Sequence, residues 1–207
     1  GDIVKIDMIF SEDDREEELF KLVATAPNFD SEIKEVSINV SLNSYMMSTT
    51  YELYDWGHQV CSSTPAFLLH RNCSDEELTS HIMLCYNSSG AISNNEYDNL
   101  GGFDSCRKIY KLKSLGRFYR FTIGFTLSWG NKRVGFFKLK KETIVHICVW
   151  KYRLGQKGHD QADDVFELKY DEERLEEFVK ELRLIMDKMY EKYLGNTITY
   201  QTKLFDL

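Results

Sequence analysis

The sequence predicts one α+β domain spanning residues 1–207, a mostly antiparallel β-sheet curved into a barrel or sandwich, with an N-terminal helix and a long C-terminal helix. Three observations carry this. Short runs of alternating or aromatic-rich residues fill most of the chain between Val36 and Tyr170. A strongly amphipathic stretch follows from Leu175 to Tyr193. Only two prolines occur, Pro27 and Pro65, so no Pro-rich linker divides the chain. With 43% hydrophobic residues the 207-residue chain has the material for one sizeable core.

In order along the chain, Ile3 to Phe10 alternates as a strand. Ser11 opens a helix, with Asp14 at the capping-box position and Leu19, Phe20, Leu22 and Val23 on its apolar face. Val36, Ile38, Val40 and Leu42 alternate with polar residues as a half-buried strand. Tyr51 to Tyr54 gives a second, ended by Trp56-Gly57, and Ala66 to His70 a third. Asp75 to Glu77 opens a short helix or turn, and His81 to Tyr86 reads as strand. Asn87 to Gly102 is a polar loop. Four aromatic and β-branched runs then read as strands: Ile109 to Lys113, Arg117 to Trp129, Val134 to Leu139 and Thr143 to Tyr152. Gly130-Asn131 carries a hairpin-turn signal between two of them. Gly155 to Asp164 is a second polar loop, and Val165 to Tyr170 is the last strand. The closing helix takes Asp171 as N-cap and stops at Gly195.

Charge is the most unusual feature. From Cys106 to Lys141 there is no acid, and eleven residues are basic, so the remainder of a chain at −7 carries −18. Such segregation points to an anionic partner: an acidic protein surface first, with nucleic acid as the lesser alternative. The exposed positions expected to form this basic face are Lys111, Lys113, Arg117, Arg120, Lys138 and Lys140. The interleaved aromatics, Phe136 and Phe137 among them, read as the buried side of the same strands.

Catalytic and metal signatures are weak. Glu167-Leu168-Lys169 has the Glu-x-Lys form of metal-dependent nucleases, with Asp163 or Asp164 as a second acid, but the pattern is common on the wet face of strands. The five histidines show no i, i+4 pair, and no glycine loop or nucleophile elbow occurs. The expectation is no catalytic site, no metal and no cofactor. No apolar run approaches the roughly 20 residues of a membrane span. Five cysteines without a Cys-x-x-Cys pair fit thiols in a reducing compartment. Three Asn-x-Ser sequons, at Asn39, Asn72 and Asn87, are possible glycosylation sites and point instead to a secreted protein. In that version Cys61, Cys73, Cys85 and Cys106 form two disulfides.

One stretch resembles a known family. Gly124-Phe125, Gly135 followed by Phe136-Phe137, Val149-Trp150-Lys151-Tyr152 and Phe166-Glu167-Leu168 stand in the order seen in the eighteenth subunit of the Mediator head module. The closing helix and the opening segment Ile3 to Val23 are similarly placed. The resemblance covers mainly the C-terminal 85 residues. It implies a β-barrel related to the triphosphate-tunnel enzymes. Their paired Glu-x-Glu strands have no counterpart here, so it implies no triphosphatase chemistry. It further implies a nuclear, non-catalytic assembly subunit that pairs with the twentieth Mediator subunit and a helix of the eighth. The alternative expectation is a secreted, glycosylated β-rich protein that captures a host protein.

Overall fold

The structure, a computed structural model, describes residues 29–56, 59–137 and 140–195, without the side chains of 29–33 and Trp56. The expected strand Ile3 to Phe10, the expected helix from Ser11 to Val23 and the expected site residue Lys138 lie outside the described residues.

The α+β class holds, with an antiparallel sheet and a long C-terminal helix. The strands are β1 (Phe29–Val40), β2 (Ser44–Leu53), β3 (Gln59–His70), β4 (Gly90–Ile92), β5 (Ile123–Val134), β6 (Lys140–Tyr152) and β7 (His159–Lys169). The helices are α1 (Asp75–Ser88), α2 (Asn94–Asn99), α3 (Gly102–Ile109), α4 (Leu115–Arg120) and α5 (Leu175–Leu194). The spatial order is β3-β2-β1-β5-β6-β7, and the short β4 pairs in parallel with the end of β2. β3 and β7 do not pair with each other, so the sheet is open and the expected barrel does not close.

Alternation decides which residues go inside. Val36, Ile38 and Val40 share one sheet face with Phe125, Leu127, Trp129, Val145, Ile147 and Val149. The helices α1 and α5 cover that face with Leu78, Ile82 and Cys85, and with Phe178, Val179, Leu182, Met186 and Met189. Full burial of each such side chain contributes about 1.5–3 kcal/mol. On the other face Met46 and Ala66 pack beneath Cys106, Tyr110 and Phe118 of α3, its C-cap and α4.

Several sequence expectations are corrected. His81 to Tyr86 is the second half of α1 rather than a strand, because Leu78, Ile82 and Cys85 recur at helical spacing and all three are buried. Ser74 caps α1 by accepting from the Glu77 N–H at 3.1 Å. Asn87 to Gly102 is not a loop: it holds β4 and α2, the latter opened by a capping box between Ser93 and Glu96. Ile109 to Lys113 is the end of α3 and a turn with Lys111 at φ +56°, so Lys111 and Lys113 share no strand face. Arg117 to Arg120 belongs to α4, and its strand begins at Ile123. Gly130-Asn131 makes no turn, since Gly130 pairs with Ile144 inside β5–β6, whose pairing runs out to Val134 and Lys140. β7 starts at His159, well inside the expected loop. The helix α5 stands where its periodicity placed it. Asp171 does not cap it: Asp171 accepts from the Glu173 N–H at 2.9 Å to open a 3-10 turn, Glu172–Arg174, and α5 starts after Arg174 without a side-chain cap, while Gly195 caps its end in right-handed conformation.

Candidate binding surfaces

The basic stretch does not form one face. β5 runs 12 residues, about 36 Å at strand rise. At its start lie Lys111, Lys113, Arg117 and Arg120, all exposed; at its far end lie Arg133, Lys140 and Lys141. Two separate surfaces result.

The first surface gathers residues that sequence spacing does not connect. α4 is fastened to the β6–β7 end: His159 Nε2 lies 2.8 Å from the Tyr119 carbonyl oxygen, and the Arg120 guanidinium sits 5.6 Å from the Tyr152 ring centroid. That contact brings Arg153 and Lys157 to the same end of the sheet, whereas Lys151 turns to the opposite face, its ammonium 4.7 Å from the Tyr193 ring centroid. Asp160 is held by Arg153 at 3.7 Å. Gly124 permits this close assembly. A Cβ there would stand 3.1 Å from Asn39 Oδ1, 3.1 Å from Trp150 Cβ and 3.2 Å from His159 Nδ1. The signal for Lys151, Arg153 and Lys157 was present in the sequence as basic residues, but their placement depends on strand pairing.

The second surface is the β5–β6 tip. Val134 pairs with Lys140, and Gly135, Phe136 and Phe137 follow Val134 beyond the paired strands. Phe136 and Phe137 are not core: they are 89% and 79% exposed and meet edge to face with centroids 4.8 Å apart. Gly135 sits at φ +94° and Phe137 at φ +81°, so the loop turns through left-handed conformations that project both rings outward. The signal that would have found this tip is Gly135, a positive-φ residue immediately before the two aromatics.

A third feature crosses the sheet. Glu35, Ser128, His146 and Glu167 are successive cross-strand neighbours on β1, β5, β6 and β7. The Ser128 hydroxyl donates to Glu35 at 3.0 Å, and His146 Nε2 lies 3.3 Å from Glu167. Glu35 is half-buried on β1 between its neighbours, and the loss of solvent around its carboxyl pushes its pKa up to about 7, against the Ser128 hydrogen bond. Burial pushes His146 down, partly offset by Glu167. Glu167, the acid of the nuclease-like Glu-x-Lys, is bound to Lys132 at 2.9 Å, while Lys169 is exposed on β7. Among the described residues no three His, Cys, Asp or Glu side chains converge as metal ligands.

The sequons are distributed unevenly. Asn72 and Asn87 are exposed, the first in the turn after β3 and the second near the end of α1 rather than at a strand edge. Asn39 sits in β1 between β2 and β5, hemmed in beside Gly124, where a glycan has no room. All five cysteines are free thiols, and Cys73, Cys85 and Cys106 are buried. Among the described residues no helix is long and apolar enough to cross a membrane.

No protein-family model matches the sequence, and no curated protein matches it. Among solved structures, a protein of unknown function from Neisseria meningitidis matches at 12% identity with a TM-score of 0.52. The match covers 75% of this chain and 94% of that one. The likeness shows a shared fold.

Proposed function

We propose that the chain is a non-catalytic binding unit that docks an acidic protein surface through the end formed by α4 and the β6–β7 loop. The observation that carries this is the gathering of Lys111, Lys113, Arg117 and Arg120 at the same end of the sheet as Arg153 and Lys157, in a protein whose net charge is −7. Cationic patches of this kind raise association rates with acidic partners and add less to raw affinity. The aromatic rings nearby favour protein over single-stranded nucleic acid. Tyr119 already meets His159 edge to face at 5.1 Å and Tyr152 lies under Arg120, so neither ring offers an open stacking platform.

Tagged wild-type chain, recovered from the cells that produce it, is expected to retain one protein at stoichiometric level, with retention falling as salt rises. The triple reversal Arg117→Glu, Arg120→Glu, Lys157→Glu should abolish retention. The melting temperature should stay nearly unchanged, because exposed charges contribute about 0–1 kcal/mol each. Retention that survives the reversal, or that disappears on nuclease treatment, overturns the reading. The resemblance to the Mediator family makes a transcription-complex subunit the first partner to look for. Recovery from culture medium with N-glycans on Asn72 or Asn87 would favour capture of an extracellular protein instead.

A further inference from the structure

The tip of the β5–β6 hairpin and a cleft beside its base are complementary to each other. The cleft encloses about 530 Å³ between Tyr86 and Tyr170. Its rim carries Glu142, Asp171, Glu172 and Glu173, with Lys169 as the base in its wall. The tip presents two exposed phenylalanines flanked by Arg133, Lys140 and Lys141. Within one chain Lys140 already reaches Glu142 at 3.7 Å, so the tip's rings, Arg133 and Lys141 are matched by the cleft bordered by Tyr86 and Tyr170 and by the exposed acids Glu172 and Glu173. The tip does not enter its own cleft, since both rings stand in solvent.

We propose that two copies of this chain associate about a two-fold axis, each placing Phe136 and Phe137 in the cleft of the other. This goes beyond the docking surface at α4, which lies at the opposite end of β5. The geometry suits a closed pair because tip and cleft occupy the same end of the molecule: Glu142 follows Lys140 by two residues of β6, about 7 Å. When both halves of a contact sit side by side on one surface, a two-fold axis satisfies both at once. The alternative occupant of an aromatic, basic tip is an anionic membrane. The chain as a whole carries −7, and acids line the rim beside the tip, which opposes approach to anionic lipid.

Four phenylalanine rings of about 150–250 Å² each cover about 600–1,000 Å², and with a like area of the two clefts the contact is on the order of the roughly 1,200–2,000 Å² of specific interfaces.

Sedimentation equilibrium of the full chain, over a wide concentration series at low and high salt, tests this. Wild type is expected to show a monomer–dimer equilibrium that weakens with salt. Phe136→Ser/Phe137→Ser should weaken it by more than about tenfold, as loss of central anchors does, and, separately, the rim change Glu172→Lys/Glu173→Lys should weaken it and remove its salt dependence. All four positions are exposed, and circular dichroism melting checks that both variants stay folded. Mixing the two variants leaves one of the two tip-in-cleft contacts intact, so a heterodimer weaker than the wild-type pair but stronger than either variant's own pair is expected. A wild type that stays monomeric throughout overturns the proposal, whether or not it binds phosphatidylserine vesicles. So does a dimer that survives in both variants.

Discussion

Phe137 shows how a single backbone angle can be set by what its side chain is for. Its φ of +81° is uncommon for any residue with a Cβ and unfavourable for a bulky aromatic. Such conformations cost about 1–3 kcal/mol, and an exposed ring offsets none of that by burial in the monomer. Phe137→Gly is therefore expected to raise the melting temperature, by the equivalent of about 1 kcal/mol, while weakening self-association. Phe136→Gly, at a residue without a positive φ, should weaken association and lower the melting temperature slightly. Equal melting shifts for the two would remove the case for strain at Phe137. Little of this was legible beforehand. Gly135-Phe136-Phe137 reads as a core strand, because exposed and buried aromatics look alike until the pairing of Val134 with Lys140 closes the loop.

Among the elements, α5 was legible to within two residues because its apolar positions recur over 20 residues, long enough for the period to stand out. Leu182→Ala, at a fully buried position against the sheet, should cost about 2–5 kcal/mol in urea unfolding, and Leu184→Ala, at 71% exposure, close to nothing. The short helices were not legible. α3 and α4 have eight and six residues, and lone helices of that length are marginal in water. Residues such as Ile109, Tyr110, Phe118 and Tyr119 favour strand by propensity, and packing of Tyr110 and Phe118 onto Met46 overrides it. The basic positions Lys111 to Arg120 were correctly read as exposed. Their division from Lys140, and their union with Lys157, follow from where these two short helices dock.

For the molecule as a whole, the row from Glu35 to Glu167 couples stability to pH. The folded-state pKa of Glu35, about 7, lies above the ordinary 4.5, so the native state holds a proton that the unfolded chain releases. Stability from this group is full below about pH 4.5 and falls as pH rises through 7, by on the order of 3 kcal/mol at most. His146 and His159 act oppositely: burial depresses both, so they destabilise the fold as pH drops below 6.5. Comparing wild type with Glu35→Gln isolates the carboxyl. The two should melt together near pH 5, and the variant should be the more stable at pH 8; parallel curves across that range would show that Glu35 does not titrate as stated. The openness of the sheet has a further consequence. A barrel has no unpaired strands, whereas among the described residues β3 and β7 end the sheet. Each edge is guarded differently. Pro65 removes a donor from β3, and its neighbours Ser63 and Thr64 bond to the Leu100 carbonyl at 3.5 and 3.2 Å, while β7 sets Asp163, Glu167 and Lys169 outward. Backbone stacking between molecules is thereby discouraged, and a reciprocal contact at the hairpin end uses up both of its own halves. Crowding this protein should accordingly yield pairs that saturate in solution rather than filaments that grow.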